Sequence, residues 1–270
     1  MSAENTPHCV NITTLQRMKS QGEKIACLTC YDASFTRVLE EAGVDVFIIG
    51  DTLGMVIQGH ESTVAVTVDD MIYHAAIVAR TGRHALRVVD MPFMSYASRD
   101  RAVDNAARLM REGGAHMVKL EGGSAMAGIV EHLARHAIPV CGHIGLLPQS
   151  VHKLGGYRVQ GRDKAGAAAL IDDARALEAA GADLLVIECV PAELAAQLTA
   201  SVAIPTIGIG AGPACDGQVL VLYDMLGITP GRRPRFVKDF LGQGGSVPAA
   251  IAAYVSAVKD GSFPGPEHCF

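Results

Sequence analysis

Four acidic residues stand directly after short apolar runs. Asp51 follows V-F-I-I-G, Asp90 ends L-R-V-V-D, Glu121 ends M-V-K-L-E and Glu188 ends L-L-V-I-E. Oxygen ligands in this number suit Mg²⁺ or a similar hard ion, which takes one or two carboxylates and keeps several waters. Any one of these acids alone reads as a helix cap or the partner of a surface lysine. Asp51, Asp90 and Glu121, ending consecutive runs, read together as a metal site. Lys119 lies two residues before Glu121, so on a strand the two side chains share a face. A buried lysine needs a charge partner, either an anionic substrate or the neighbouring acids alone. Burial would raise the pKa of Glu188 and make it a usable general base; its other reading is a cap before Pro191. His143 would either donate to a substrate and orient Glu188, or be a satisfied structural group.

Other motifs carry less. His132 and His136 are four apart, a metal-ligand spacing, but on a helix expected to face solvent outside the sheet. Gly208-I-Gly210-A-Gly212 would cradle a phosphate or simply allow close packing, and no ligand is assigned to it. Cys27 and Cys30 form a C-x-x-C on an apparent strand. Residues three apart there point to opposite faces, so buried packing is expected rather than a zinc or redox centre.

The elements that position these residues follow from periodicity. Strand signals fall at Ile25–Thr29, Val46–Ile49, Leu86–Val89, Met117–Leu120, Ile138–Gly142, Leu184–Ile187, Pro205–Ile209 and near Val219–Leu222. Helical signals separate most of them. Thr13 or Thr14, Asp32, Thr67 with Asp70, and Ser98 are expected caps, and Pro191 an N1 residue. Residues 50–66 and 144–164 lack a helical period and read as lids or binding loops. Residues 1–12 read as a loose arm. Parallel β-α units repeated eight times suggest a closed (β/α)8 TIM barrel, one domain over residues 1–270, with strand-end acids converging on one mouth. An open doubly wound sheet is the structural alternative, but no G-x-G-x-x-G follows the first strand.

The chain has 270 residues, 49% of them hydrophobic, and a net charge of −5. Such a length buries roughly 75% of the unfolded surface without disulfide or metal. No basic run supports a nucleic-acid partner. No apolar stretch approaches the roughly 18 residues of a membrane span, and no secretory signal is evident. Seven scattered cysteines suggest a reduced, cytoplasmic protein.

Strings along nearly the whole chain resemble the ketopantoate hydroxymethyltransferase family, within the phosphoenolpyruvate/pyruvate-type barrel superfamily. They are L-T-C-Y-D-A-S-F, I-G-D-T-L-G-M-V-I-Q-G-H, D-M-P-F-M-S-Y, M-V-K-L-E-G-G, P-V-C-G-H-I-G-L-L-P-Q-S, G-G-Y-R-V-Q-G-R and I-G-I-G-A-G. The resemblance implies a homodecamer of two pentameric rings. It implies Mg²⁺ bound by Asp51 and Asp90 with Glu121 near, and a 2-oxo acid held by Asp51, Thr52, Asp90, Lys119 and His143. Glu188 would be the catalytic base. The reaction implied is hydroxymethyl transfer from 5,10-methylenetetrahydrofolate to 3-methyl-2-oxobutanoate, giving 2-dehydropantoate for pantothenate synthesis. Thr52 stands where the family usually has serine, and Leu147 where it often has threonine. Two rivals are another Mg²⁺-dependent lyase or mutase of the superfamily and a non-catalytic metabolite-binding barrel.

Overall fold

Eight short strands, apolar along most of their length, pair in parallel, each with the next in sequence, and the last returns to the first to close a barrel. The computed structural model describes residues 9–231 and 233–270. The strands are β1 (Ile25–Thr29), β2 (Val46–Ile49), β3 (Leu86–Asp90), β4 (Met117–Glu121), β5 (Val140–Gly145), β6 (Leu184–Glu188), β7 (Thr206–Ile209) and β8 (Gly217–Leu220). Helices cover the outside, so both strand faces are buried, which is why the strands read as runs rather than alternations. Successive side chains still divide between two cores. Ile25, Cys27, Val46, Ile48, Leu86 and Val88 point into the barrel, whereas Ala26, Leu28, Phe47, Ile49 and Val89 pack beneath the helices. Cys27 and Cys30 fall in opposite cores as free, buried thiols, as the strand geometry required.

The lower end of the barrel is stoppered by the first helix, Ile12–Gln21. Its Leu15 and Met18 are buried in the inner core. Lys19 ties the helix to the rim through Asp216 at 3.0 Å and the carbonyls of Ile204 and Thr199. Asn11, not Thr13 or Thr14, caps this helix. Its Oδ1 accepts from the Thr14 N–H at 2.9 Å and from both threonine hydroxyls, which are thereby consumed.

Other boundaries moved for local reasons. β5 begins at Val140, because Pro139 has no N–H to give to a ladder, and runs on through His143 to Gly145. His143 therefore lies inside its strand, opposite Glu121. β8 starts at Gly217, where a Cβ would come within 2.4 Å of the Ile25 carbonyl. Only glycine lets the two strands close there, and a Gly-Gln start carries no apolar signal. The long connections contain short helical turns, Leu53–Val56, Thr63–Ala65, Pro148–Ser150 and Val151–Leu154. Asp32, Ser98 and the Thr67–Asp70 capping box occupy the expected positions. Pro191, expected at N1, instead stands one residue before the helix Ala192–Ser201, at its N-cap position, and makes no side-chain capping bond. The expected loose arm lies largely outside the described residues. No helix among the described residues is long and apolar enough to cross a membrane.

Candidate active site

Strand parity assembles the site. Counting by two from the inward Leu86 and Val88 reaches Asp90; from Met117 it reaches Lys119 and Glu121. The same count from Cys141 reaches His143, and from Leu184 and Val186 it reaches Glu188. All five therefore enter the barrel at its C-terminal mouth, where barrels of this class place their chemistry. Asp51 joins them one turn of chain beyond β2. Its backbone N–H donates to Asp90 Oδ2 at 3.1 Å. Asp51, Asp90, Lys119, Glu121 and His143 are each at most 6% exposed, so their charges must be answered locally.

Lys119 Nζ lies 3.1 Å from Asp90 Oδ2 and 3.3 Å from His143 Nδ1. An ammonium only donates, so Nδ1 accepts and the neutral imidazole carries its proton on Nε2. Burial, aided by Lys119, holds the His143 pKa far below its ordinary value, in agreement with that tautomer. Nε2 stands 3.1 Å from Glu188 Oε2, close but out of line for a hydrogen bond. Burial pushes Glu188 up to about 8 against the pull of Lys119, and Glu121 likewise to about 8. Burial and the charges of Asp90 and Glu121 push Asp51 up as well. Burial alone would lower Lys119, but Asp90, Glu121 and Asp51 outweigh it and keep the ammonium charged.

Four largely buried acids thus face one lysine, and without a cation burial favours their protonated forms. Asp90 Oδ1 and Glu121 Oε1 have no hydrogen-bond partner among the described residues. Unpartnered carboxyl oxygens in this number fit a hard divalent cation, which would take the place of the protons. Among the described residues no group of three acidic, histidine or cysteine side chains is placed to hold a metal ion by itself, so water and substrate oxygens would have to complete its shell. Thr52 starts the helix Leu53–Val56, and its hydroxyl makes no capping bond. A Cβ built on Gly50 would meet Asp90 Oδ2 at 3.5 Å and Thr52 Oγ1 at 3.8 Å, so the hydroxyl borders the same cleft.

The remaining motifs stay apart. His132 and His136 meet edge to face at the C-terminal end of an outer helix, with the His136 ring bonded to the His132 carbonyl at 2.8 Å. Gly210 and Gly212 pack under Phe236, Phe270 and Ala192. The site also contains residues that sequence reasoning passed over. Gln149 donates from Nε2 to Asp51 Oδ2 at 2.8 Å and to the Met91 carbonyl at 2.9 Å, while its backbone N–H donates to Glu121 Oε2 at 3.0 Å. Tyr96 donates to Gln149 Oε1 at 2.6 Å. The only signal was their place in D-M-P-F-M-S-Y and L-L-P-Q-S. Gly145 is a third: at φ 93°, a Cβ there would stand 2.1 Å from the Glu188 carbonyl oxygen, so glycine alone lets β5 lie against the chain after Glu188.

Residues 9–266 match the profile of ketopantoate hydroxymethyltransferase. The chain belongs to the ketopantoate hydroxymethyltransferase family. A relative from Nitrosococcus oceani, named 3-methyl-2-oxobutanoate hydroxymethyltransferase, is 60% identical over 94% of this chain and 97% of its own length. Another of the same name, from Halorhodospira halophila, is 58% identical over 97% of this chain and 94% of its own. Solved structures extend the fold beyond the family. A phosphonomutase-like protein from Burkholderia cenocepacia superposes with a TM-score of 0.62 at 19% identity, over 80% of this chain and 94% of that one. A 2,3-dimethylmalate lyase of the PEP mutase/isocitrate lyase superfamily gives 0.58 at 18%, over 82% and 84%. Identities so low speak for the barrel alone; the family resemblance rests on the closer relatives, and its profile spans every strand of the site.

Proposed function

We propose that the protein is a 3-methyl-2-oxobutanoate hydroxymethyltransferase. It joins C3 of 3-methyl-2-oxobutanoate to the one-carbon unit of 5,10-methylenetetrahydrofolate, giving 2-dehydropantoate and tetrahydrofolate in pantothenate biosynthesis. The names of its relatives support this. The observation that carries the chemistry is a carboxyl raised to about 8, Glu188, beside a buried acid–lysine cluster.

Asp51 and Asp90 would hold Mg²⁺, with Glu121 nearby, and the bound ion would supply a Lewis acid for the keto oxygen. Lys119, fixed by Asp90, presents its charge to the substrate carboxylate, and the Thr52 hydroxyl donates beside it. Glu188 takes the proton from C3; its raised pKa brings it close to the operating pH, where a general base works best. His143 Nε2, 3.1 Å from Glu188 Oε2, sets a neutral polar group beside that carboxyl. The electron pair released from the C3–H bond forms the new carbon–carbon bond to the methylene carbon. Both C–N bonds that hold the methylene carbon to the folate break, one as C3 attacks and one as water delivers the hydroxyl oxygen; the two freed nitrogens take up the proton that Glu188 removed from C3 and one proton of that water. Residues 9–270 read as one domain serving this one site. The reading is tested by following 2-dehydropantoate formation with and without 5,10-methylenetetrahydrofolate. Consumption of the oxo acid that ignores the folate would overturn it in favour of a lyase.

We read the protein as a cytoplasmic homodecamer of two pentameric rings. Exposed Tyr73, Phe93 and Met94, 66%, 44% and 52% accessible, support a surface that another subunit covers. Light scattering from a monomer would remove this reading.

Charge also predicts a pH effect. Glu121 and Glu188 titrate near 4.5 when unfolded and near 8 when folded. Between those values the folded state holds more protons, so stability falls as pH rises. Thermal melts of metal-stripped protein should therefore decline from about pH 5 to about pH 8, and Mg²⁺ should raise the melting temperature more at the upper value. A flat metal-free profile would refute the assignment of buried, neutral acids.

A further inference from the structure

Gln149 ties the ends of β2, β3 and β4 to the loop after β5. Its side chain and backbone reach an oxygen of Asp51, the carbonyl after Asp90 and an oxygen of Glu121. The amide has one satisfactory orientation. Its two N–H bonds point at a carboxylate and a carbonyl, and its oxygen receives the Tyr96 hydroxyl proton; a flipped amide would set oxygen against oxygen twice. Tyr96 is itself anchored, accepting from the Glu121 N–H at 3.3 Å. Gln149 is 5% exposed, so water does not compete for these bonds. By engaging Asp51 Oδ2 and Glu121 Oε2, the bridge leaves the second oxygen of each carboxylate to the cavity, and Glu121 Oε1 is indeed unpartnered.

We propose that Gln149, oriented by Tyr96, is a positioning residue that presets the Asp51 and Glu121 carboxylates for the divalent cation and thereby fastens the loop after β5 to the metal site. The inference rests on the metal reading above. A carboxylate held by one oxygen has its other aimed, which removes the reorientation that binding would otherwise require.

The test uses purified full-length protein with Mn²⁺ as the probe, its binding followed by electron paramagnetic resonance without substrates. Gln149→Met keeps the volume and removes the bridge. It should weaken Mn²⁺ binding about 10–100-fold, and turnover should fall more at limiting than at saturating Mg²⁺. Tyr96→Phe should shift both readouts in the same direction by less, since it frees the amide without deleting it. Wild-type Mn²⁺ affinity in a folded Gln149→Met overturns the proposal. If that variant does not fold, unchanged affinity in Tyr96→Phe overturns it. Failure of the wild type to bind Mn²⁺ would strike the metal reading instead. The crystal structure of Gln149→Met then decides: carboxylates of Asp51 and Glu121 displaced by about 1 Å or more uphold the bridge, and unmoved ones reject it.

Discussion

Glu188→Gln is expected to lower kcat by about 10²–10⁴-fold while leaving Mg²⁺ affinity near that of the wild type. The glutamine keeps the shape and still fills the space 3.1 Å from His143, but it cannot take a proton. Glu188 makes no hydrogen bond to Asp51 or Asp90 among the described residues and feels Asp90 only through its charge, so metal binding and proton removal should largely separate. The decisive readout is exchange of the C3 hydrogen of 3-methyl-2-oxobutanoate in deuterated water, followed by NMR with the folate omitted. Exchange should collapse with turnover. If it continues at the wild-type rate, another group removes the proton and Glu188 loses its role. In the wild type, the basic form of a carboxyl raised to about 8 should make kcat/KM climb with pH through that region, and this limb should vanish in the variant.

Lys119→Met should be the most damaging substitution for stability. Lys119 is the cation of a cluster containing Asp51, Asp90 and Glu121, and its side chain is 7% exposed. Removing one member of a buried ion pair costs about 3–5 kcal/mol, because the partner's charge is left uncompensated. The cost should depend on pH in a definite direction. Without the ammonium, which now pulls Glu121 and Glu188 down, those carboxyls titrate higher still when folded, while the unfolded chain still ionises near 4.5. Both proteins therefore lose stability in parallel from about pH 4.5 to about pH 8, where these carboxyls stay protonated when folded; above about pH 8 the wild type levels off while the variant keeps falling, and the gap widens. Urea unfolding at about pH 7 and about pH 9.5, both without metal, checks this. An equal difference at both pH values would mean that lost packing, not stranded charge, explains the defect.

The parts of this design that were legible in the sequence share one physical cause. A strand covered on both faces must be apolar along its length, so V-F-I-I and L-L-V-I announced themselves, and an acid ending such a run had to lie at its mouth. Parity then set Lys119 and Glu121 on one face of their strand. What stayed hidden depends on closure in three dimensions. Gln149 is uncharged and sits in an aperiodic stretch; only the folding of that stretch over β4 brings it to Asp51 and Glu121. Gly217 begins a strand because of a neighbour's carbonyl, which no window of sequence contains. Asn11 outcompeted Thr13 and Thr14 as a cap because its carbonyl oxygen reaches all three available donors at once.

Leu15 and Met18 cork the floor of the barrel, and this has a kinetic meaning. A chamber with a single doorway makes its occupants queue. On the proposed reading, the small oxo acid seats deep against Lys119 and has to arrive before the bulky carrier of the one-carbon unit fills the entrance, and its product cannot depart until that carrier has gone. Addition and release should thus follow a fixed order, last in and first out.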